Sequence, residues 1–154
     1  MPTGDSPKVA KHGNQLSNSD DALVADASFM VAALVDSGEE GSWALGLLDG
    51  VTVYAPHLLL VEATNVLRRQ EASGGLVELA VHRARRRLVE MPIQLFPFEP
   101  FADRIWQLRH NLTSYDAWYV AIAEALEIPL ATLDQRLVSA SGPTCRFLVP
   151  PDEE

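Results

Sequence analysis

Cysteine is nearly missing from this chain. The lone Cys145 excludes an internal disulfide, and no Cys/His spacing suggests a zinc site. Lysine is almost as scarce: Lys8 and Lys11 both fall in the first twenty residues, so arginine alone carries the positive charge of everything after them. Long apolar runs are absent too. Stretches such as "APHLLLV" are far too short to cross a bilayer, and residues 1–20 hold no hydrophobic targeting core. These absences point to a soluble, cytoplasmic protein with no membrane partner. A formal net charge of −9 excludes a surface that holds polyanions simply by being basic.

What is present suits one folded unit. With 154 residues and 47% hydrophobic content, the chain can fill one ordinary core. A single domain is expected over residues 21–150. Residues 1–20 are polar and aperiodic and read as a disordered tail or an expression remnant, and residues 151–154 form an acidic C-terminal tail.

Between those limits the pattern alternates. "ALVAD" reads as a buried strand, "ASFMVAALVDSG" as a helix closed by glycine, and "GSWALGLLDG" as a short helix. "VTVYAP" is a β-branched strand, residues 57–75 and 76–90 are helices, and "PIQLFPF" is an edge strand by its prolines. A helix near 100–110 and another from about 113 to Pro129 follow, then strand "PLATLD", short helix "QRLVSAS" and strand "CRFLVP". This order predicts an α/β fold around a mainly parallel sheet.

That topology gives the acids meaning. The carboxyl ends of parallel strands share one edge, where ligands collect. Asp26 ends the first strand and Asp134 ends "PLATLD", so both belong to that edge. Glu62 lies in the first two turns of the helix after "VTVYAP". On a helical wheel Leu59, Leu60, Ala63, Val66 and Leu67 form the buried side, while Glu62, Asn65 and Arg69 form a separate polar stripe. Asp116 begins the apolar helix "TSYDAWYV", and with Thr113 it also matches a capping box. Taken singly, each acid has an ordinary alternative: Asp26 as an N-cap, Asp134 as a turn residue, Glu62 as an exposed helix residue.

Together the four would repel, and some would take up protons unless a hard divalent cation compensated them. Magnesium or manganese suits carboxylate oxygens, whereas zinc would recruit histidine or cysteine. His57, His82 and His110 lack ligand spacing and read as surface or capping residues. An acid-walled magnesium site suits phosphoryl chemistry.

The segments "VADAS", "PHLLLVEATNVLRR" and "TSYDAWYVAIAEALEIPLATLDQRL" resemble, in that order, a PIN-domain ribonuclease of the VapC toxin type, over roughly residues 22–149. The resemblance implies a three-layer α/β/α fold in which Asp26, Glu62, Asp116 and Asp134 hold one or two Mg2+ or Mn2+ ions. Asp26 and Asp116 would be the principal ligands. Glu62 and Asp134 would complete a second ion's shell or orient the attacking water. Ser28 and Thr113 match supporting hydroxyl residues, and Asn65 matches a polar neighbour of the glutamate. It further implies in-line hydrolysis of RNA to a 3'-hydroxyl and a 5'-phosphate, a homodimer, and silencing by a VapB antitoxin whose arginine enters the acid pocket. A non-catalytic PIN-like module that binds a protein partner through that pocket is the alternative.

Two features stay open at this level. Arg83, Arg85, Arg86 and Arg87 crowd one predicted helix, as a solvated face or as an RNA-backbone contact. Trp43, Trp106 and Trp118 could stack on bases, with Trp118 more suited to the core because its helix is apolar.

Overall fold

The structure, a computed structural model, describes residues 21–152. The reading of residues 1–20 as a tail, and the last two residues of the acidic tail, lie outside that range.

Strand β1 (Ala22–Ala25) is buried along nearly its whole length, as a central parallel strand must be when helices cover both faces. It pairs with β2 (Thr52–Pro56) on one side and β4 (Leu130–Ala131) on the other. β3 (Gln94–Phe96) and β5 (Phe147–Leu148) are the edges, giving the parallel order β3-β2-β1-β4-β5. Pro92 and Pro97 flank β3, which suits a strand that needs partners on one side only.

Helices α1 (Ala27–Val35), α2 (Glu39–Leu48), α3 (Leu58–Ala72) and α4 (Glu78–Glu90) pack among themselves. Helix α6 (Ser114–Leu126) lies across β1, β2 and β4, with α5 (Ala102–Gln107) against it, and α7 (Gln135–Ser139) follows β4. The expected three-layer α/β/α arrangement is therefore present. Alanines 117, 121 and 123 let α6 approach the sheet closely, while Tyr119 and Ile122 fill the remaining space at 1% and 0% exposure.

Several boundaries differ from the sequence pattern. Helix α1 stops at Val35 rather than at glycine, because the Asp36 carboxylate accepts the Gly38 and Gly41 amides (2.8 and 3.0 Å) and so starts α2. Gly41 is required there, since a Cβ would stand 2.1 Å from the Asp36 carbonyl oxygen. Helix α6 ends at Leu126, where Glu127 takes a left-handed turn (φ 54°), before Pro129 is reached. The helix expected near 100–110 opens as a 3-10 turn, Glu99–Phe101, ahead of α5.

Candidate active site

Each of the four acids is delivered by a different junction of the fold. Asp26 follows β1 and caps α1, its Oδ1 accepting the Phe29 amide at 2.9 Å. Asp134 follows the β4 segment and caps α7 through the Arg136 amide at 3.0 Å. Glu62 sits in the second turn of α3, and Asp116 in the first turn of α6. All four line one open groove of about 570 Å³ at the carboxyl edge of the sheet. No pair of them is split across the molecule.

The capping box at Asp116 is only half made. Thr113 Oγ1 accepts the Asp116 amide at 3.2 Å, but among the described residues the Thr113 amide receives no return bond from the Asp116 carboxylate, which lines the groove instead. Cap and site are thus divided between the two residues, with Thr113 starting the helix and Asp116 facing the cleft.

Behind Asp26 lies a network that the sequence reading saw only in part. Ser28 Oγ donates to Asp26 Oδ1 at 2.6 Å and accepts the Leu133 amide at 3.0 Å. The buried Thr132 hydroxyl donates to Asp26 Oδ2 and accepts the Asp134 amide at 3.0 Å. Ser28 and Thr132 thereby tie the β1–α1 junction to the β4–α7 junction. Thr132 was missed because a threonine within "PLATLD" reads as a strand former. Parallel pairing of Ala25 with Ala131 places it next to Asp26, and that register was the available signal. Tyr119 was missed for a similar reason. Its buried hydroxyl donates to Glu62 Oε1 at 3.4 Å, one turn beyond Asp116. Asn65, by contrast, is exposed, accepts the Arg68 Nε at 3.1 Å, and is not part of the groove lining.

The electrostatics are those of anions held short of compensation. Burial raises the Asp26 carboxyl above its ordinary value, although the Phe29 amide and the Ser28 and Thr132 hydroxyls pull it back. Glu62 is raised by burial and then by the Asp116 charge, while its bond from Tyr119 opposes the shift. Asp116 is raised by burial and then by the Asp134 charge, with Thr113 and Arg136 opposing. The Arg136 Nε stands 3.4 Å from Asp134 Oδ1.

Among the described residues, no group of three or more His, Cys, Asp or Glu is arranged to hold a metal ion. The chemistry of the donor set nevertheless suits a hard dication. Every acidic donor is a carboxylate, three of them are strained by burial and mutual charge, and the exposed histidines 57, 82 and 110 lie outside the groove lining.

Trp43 packs edge-on against Phe29 (5.5 Å), and half-buried Trp118 packs edge-on against Phe98 (5.5 Å), its indole N–H without a hydrogen-bond partner among the described residues. Trp106 is 65% exposed under the Arg109 guanidinium. The four α4 arginines are exposed, with Arg86 paired to Glu90 at 3.4 Å. No helix among the described residues is long and apolar enough to cross a membrane.

Comparison with known proteins agrees with this geometry. The PIN domain family matches residues 23–142. Ribonuclease VapC1 of Mycobacterium tuberculosis is 41% identical over 131 residues, covering 82% of this chain and 96% of the relative. VapC ribonuclease Mb0985 of Mycobacterium bovis is 35% identical over 129 residues, covering 84% and 98%. The crystal structure of Mycobacterium tuberculosis VapC20, a Sarcin-Ricin loop cleaving toxin, superposes with a TM-score of 0.58 at 16% identity, covering 76% of this chain and 93% of that one. That of VapBC2 from Rickettsia felis, bound to a DNA fragment from its promoter, gives 0.59 at 11% identity, covering 83% and 98%. The solved structures speak for the fold, and the family match with the ribonuclease relatives speaks for descent: this chain belongs to the PIN-domain family, among its VapC-type members.

Proposed function

We propose that this protein is a divalent-metal-dependent endoribonuclease toxin, acting on RNA and silenced by a VapB-type antitoxin. The observation that carries this reading is the convergence of Asp26, Glu62, Asp116 and Asp134 on one groove in a chain whose relatives are ribonucleases. Asp26 and Asp116 would hold the principal ion, with Glu62 and Asp134 serving a second ion or a water. When bound, Mg2+ or Mn2+ would neutralise the scissile phosphate, acidify a water and stabilise the leaving oxygen.

The chain's own residues prepare that chemistry. Ser28 and Thr132 fix both oxygens of Asp26, so that its carboxylate needs no reorganisation when substrate arrives. Tyr119 restrains Glu62, and the Thr113 cap sets the first turn of α6 from which Asp116 reaches the groove. In-line attack would leave a 3'-hydroxyl and a 5'-phosphate. Arg136 already contacts Asp134, so the groove's acids accept a guanidinium, which supports an antitoxin arginine as the inhibitory group. A homodimer is the proposed assembly, checked by sedimentation.

Purified protein incubated with total RNA and Mg2+ should cleave at discrete positions bearing 5'-phosphates, and EDTA should stop it. Asp116→Asn should lower the rate by at least about 10³-fold with the circular dichroism unchanged. Undiminished cleavage by that variant would overturn the assignment.

One observation favours a second reading, a non-catalytic module that uses the acid pocket to grip an arginine-bearing partner: no three acids stand in ion-holding arrangement among the described residues. Manganese calorimetry separates the two. Metal-dependent heat that vanishes in Asp116→Asn supports the nuclease, and no binding at near-millimolar Mn2+ supports the module.

A further inference from the structure

The groove presents a charge problem to any nucleic acid. Six carboxylates line it, namely the quartet plus Asp36 and Glu40 from the α1–α2 corner. Against them, the cationic side chains among the described lining residues are Arg69 and Arg136. A phosphate backbone entering such a groove needs cationic contacts beyond the reacting centre, since each unpaired phosphate would otherwise meet carboxylates.

Arg69 is placed for this. It lies seven residues beyond Glu62 on α3, two turns and about 10 Å along the same helix. Its neighbour Arg68 is engaged with Asn65 at 3.1 Å and is not part of the lining. The Arg69 guanidinium has no hydrogen bond or ion pair among the described residues, even though six acids share its groove. Arg136 occupies a second position. Its side chain is 94% exposed and touches Asp134 through Nε alone, leaving the rest of the fork free for an anion. A smaller depression of about 230 Å³, lined by Asn111 and Thr113, shares Asp116, Asp134 and Arg136 with the groove. The two depressions meet at these shared residues, whereas Arg69 lines the larger one alone.

We propose that Arg69 and Arg136 bind backbone phosphates of the RNA strand on the flanks of the scissile bond, positioning it across the carboxylate quartet. This rests on the nuclease reading above. A guanidinium fork can hold a phosphate through two hydrogen bonds, where an ammonium offers only a point charge.

The test uses the full chain carrying Asp116→Asn, so that RNA is bound but not cut, with a short fluorescein-labelled oligouridylate read by anisotropy over a salt series in Mg2+. Adding Arg69→Gln should weaken binding about fivefold and flatten the slope of log affinity against log salt by about 0.7, the share of one phosphate contact on a single strand. Arg69→Lys should restore the slope while recovering only part of the affinity. Arg85→Gln, on the exposed face of α4, should change neither. In the otherwise unaltered enzyme, Arg69→Gln should raise KM and leave kcat within about twofold, the signature of lost binding that is uniform between ground and transition states. If the parent binds and cleaves RNA but Arg69→Gln keeps its affinity and slope, the proposal fails alone. If Arg85→Gln takes the slope instead, the basic helix is the RNA contact and the proposal fails. A parent that neither binds nor cleaves takes down the nuclease reading with it.

Discussion

Glu62 and Glu124 are both partly buried glutamates on helices, and the fold treats them in opposite ways. Burial would raise Glu124, but the Arg104 guanidinium bonds it through two nitrogens (2.6 and 3.0 Å) and the Thr144 amide adds a third bond at 2.8 Å, so its carboxyl falls below the ordinary value. Arg104 also donates to the Gly142 carbonyl at 3.0 Å, which fastens the loop leading to β5. Glu62 has a single long bond from Tyr119 and the charge of Asp116 nearby, and its carboxyl rises. One end of the molecule completes its electrostatics on folding. The other leaves them incomplete, as the metal site proposed above requires. Compensation at folding stabilises; deferred compensation binds.

Breaking the finished end should cost the most stability. Glu124→Ala strands a partly buried guanidinium and the Thr144 amide, and should destabilise by about 2 kcal/mol, or roughly 6 °C in Tm, while RNA cleavage stays unchanged. A variant that lost cleavage at equal stability would show that the two ends are coupled.

The unfinished end should respond in the other direction. Asp116 has a folded pKa above its unfolded one, so its contribution to stability is full below the unfolded value and is lost as pH rises through the raised value. Asp116→Asn removes that loss. Without metal at neutral pH the variant should melt higher than the parent by about 1 kcal/mol, or roughly 3 °C, a small figure because solvent screens this half-exposed group. The gap should close as pH falls towards 4, and Mn2+ should raise the Tm of the parent more than that of the variant. Calorimetric scans at several pH values check both signs.

The smallest effect sharpens the comparison at Glu62 itself. Tyr119→Phe keeps the packing but removes the hydroxyl that lowers the Glu62 pKa, at a stability change within about 1 kcal/mol. The acidic limb of the pH–rate profile should move to higher pH, and cleavage near neutrality should fall only a few-fold. An unmoved limb would detach Glu62 from the chemistry.

Asp26 and Asp134 were legible because parallel topology brings strand ends to one edge, Glu62 because its helix starts at that edge, and Asp116, which also matched a capping box, joined them through the family resemblance. The partners were not. Thr132 and Tyr119 sit in apolar contexts where a hydroxyl reads as an incidental atom on a packing residue, and only the Ala25–Ala131 register and the groove that Glu62 and Tyr119 both line give those atoms carboxylates to meet. The pattern also placed Asn65 on the same polar stripe as Glu62, but three residues along a helix turn the side chain about 60° away, and it bonds Arg68 instead. Helix ends were blurred wherever a side chain overrode the usual stop, as Asp36 does at the α1–α2 corner.

The bond from Thr132 to Asp26 joins residues 106 positions apart, across a central strand whose neighbours are the early β2 and the late β4. A nascent chain therefore carries Asp26 and Glu62 for most of its synthesis with no groove to place them in, and closure waits until β4 inserts beside β1. A chain cut short of residue 134 would lack the last of the four acids that line the groove, so this face of the fold is finished only by its late segments.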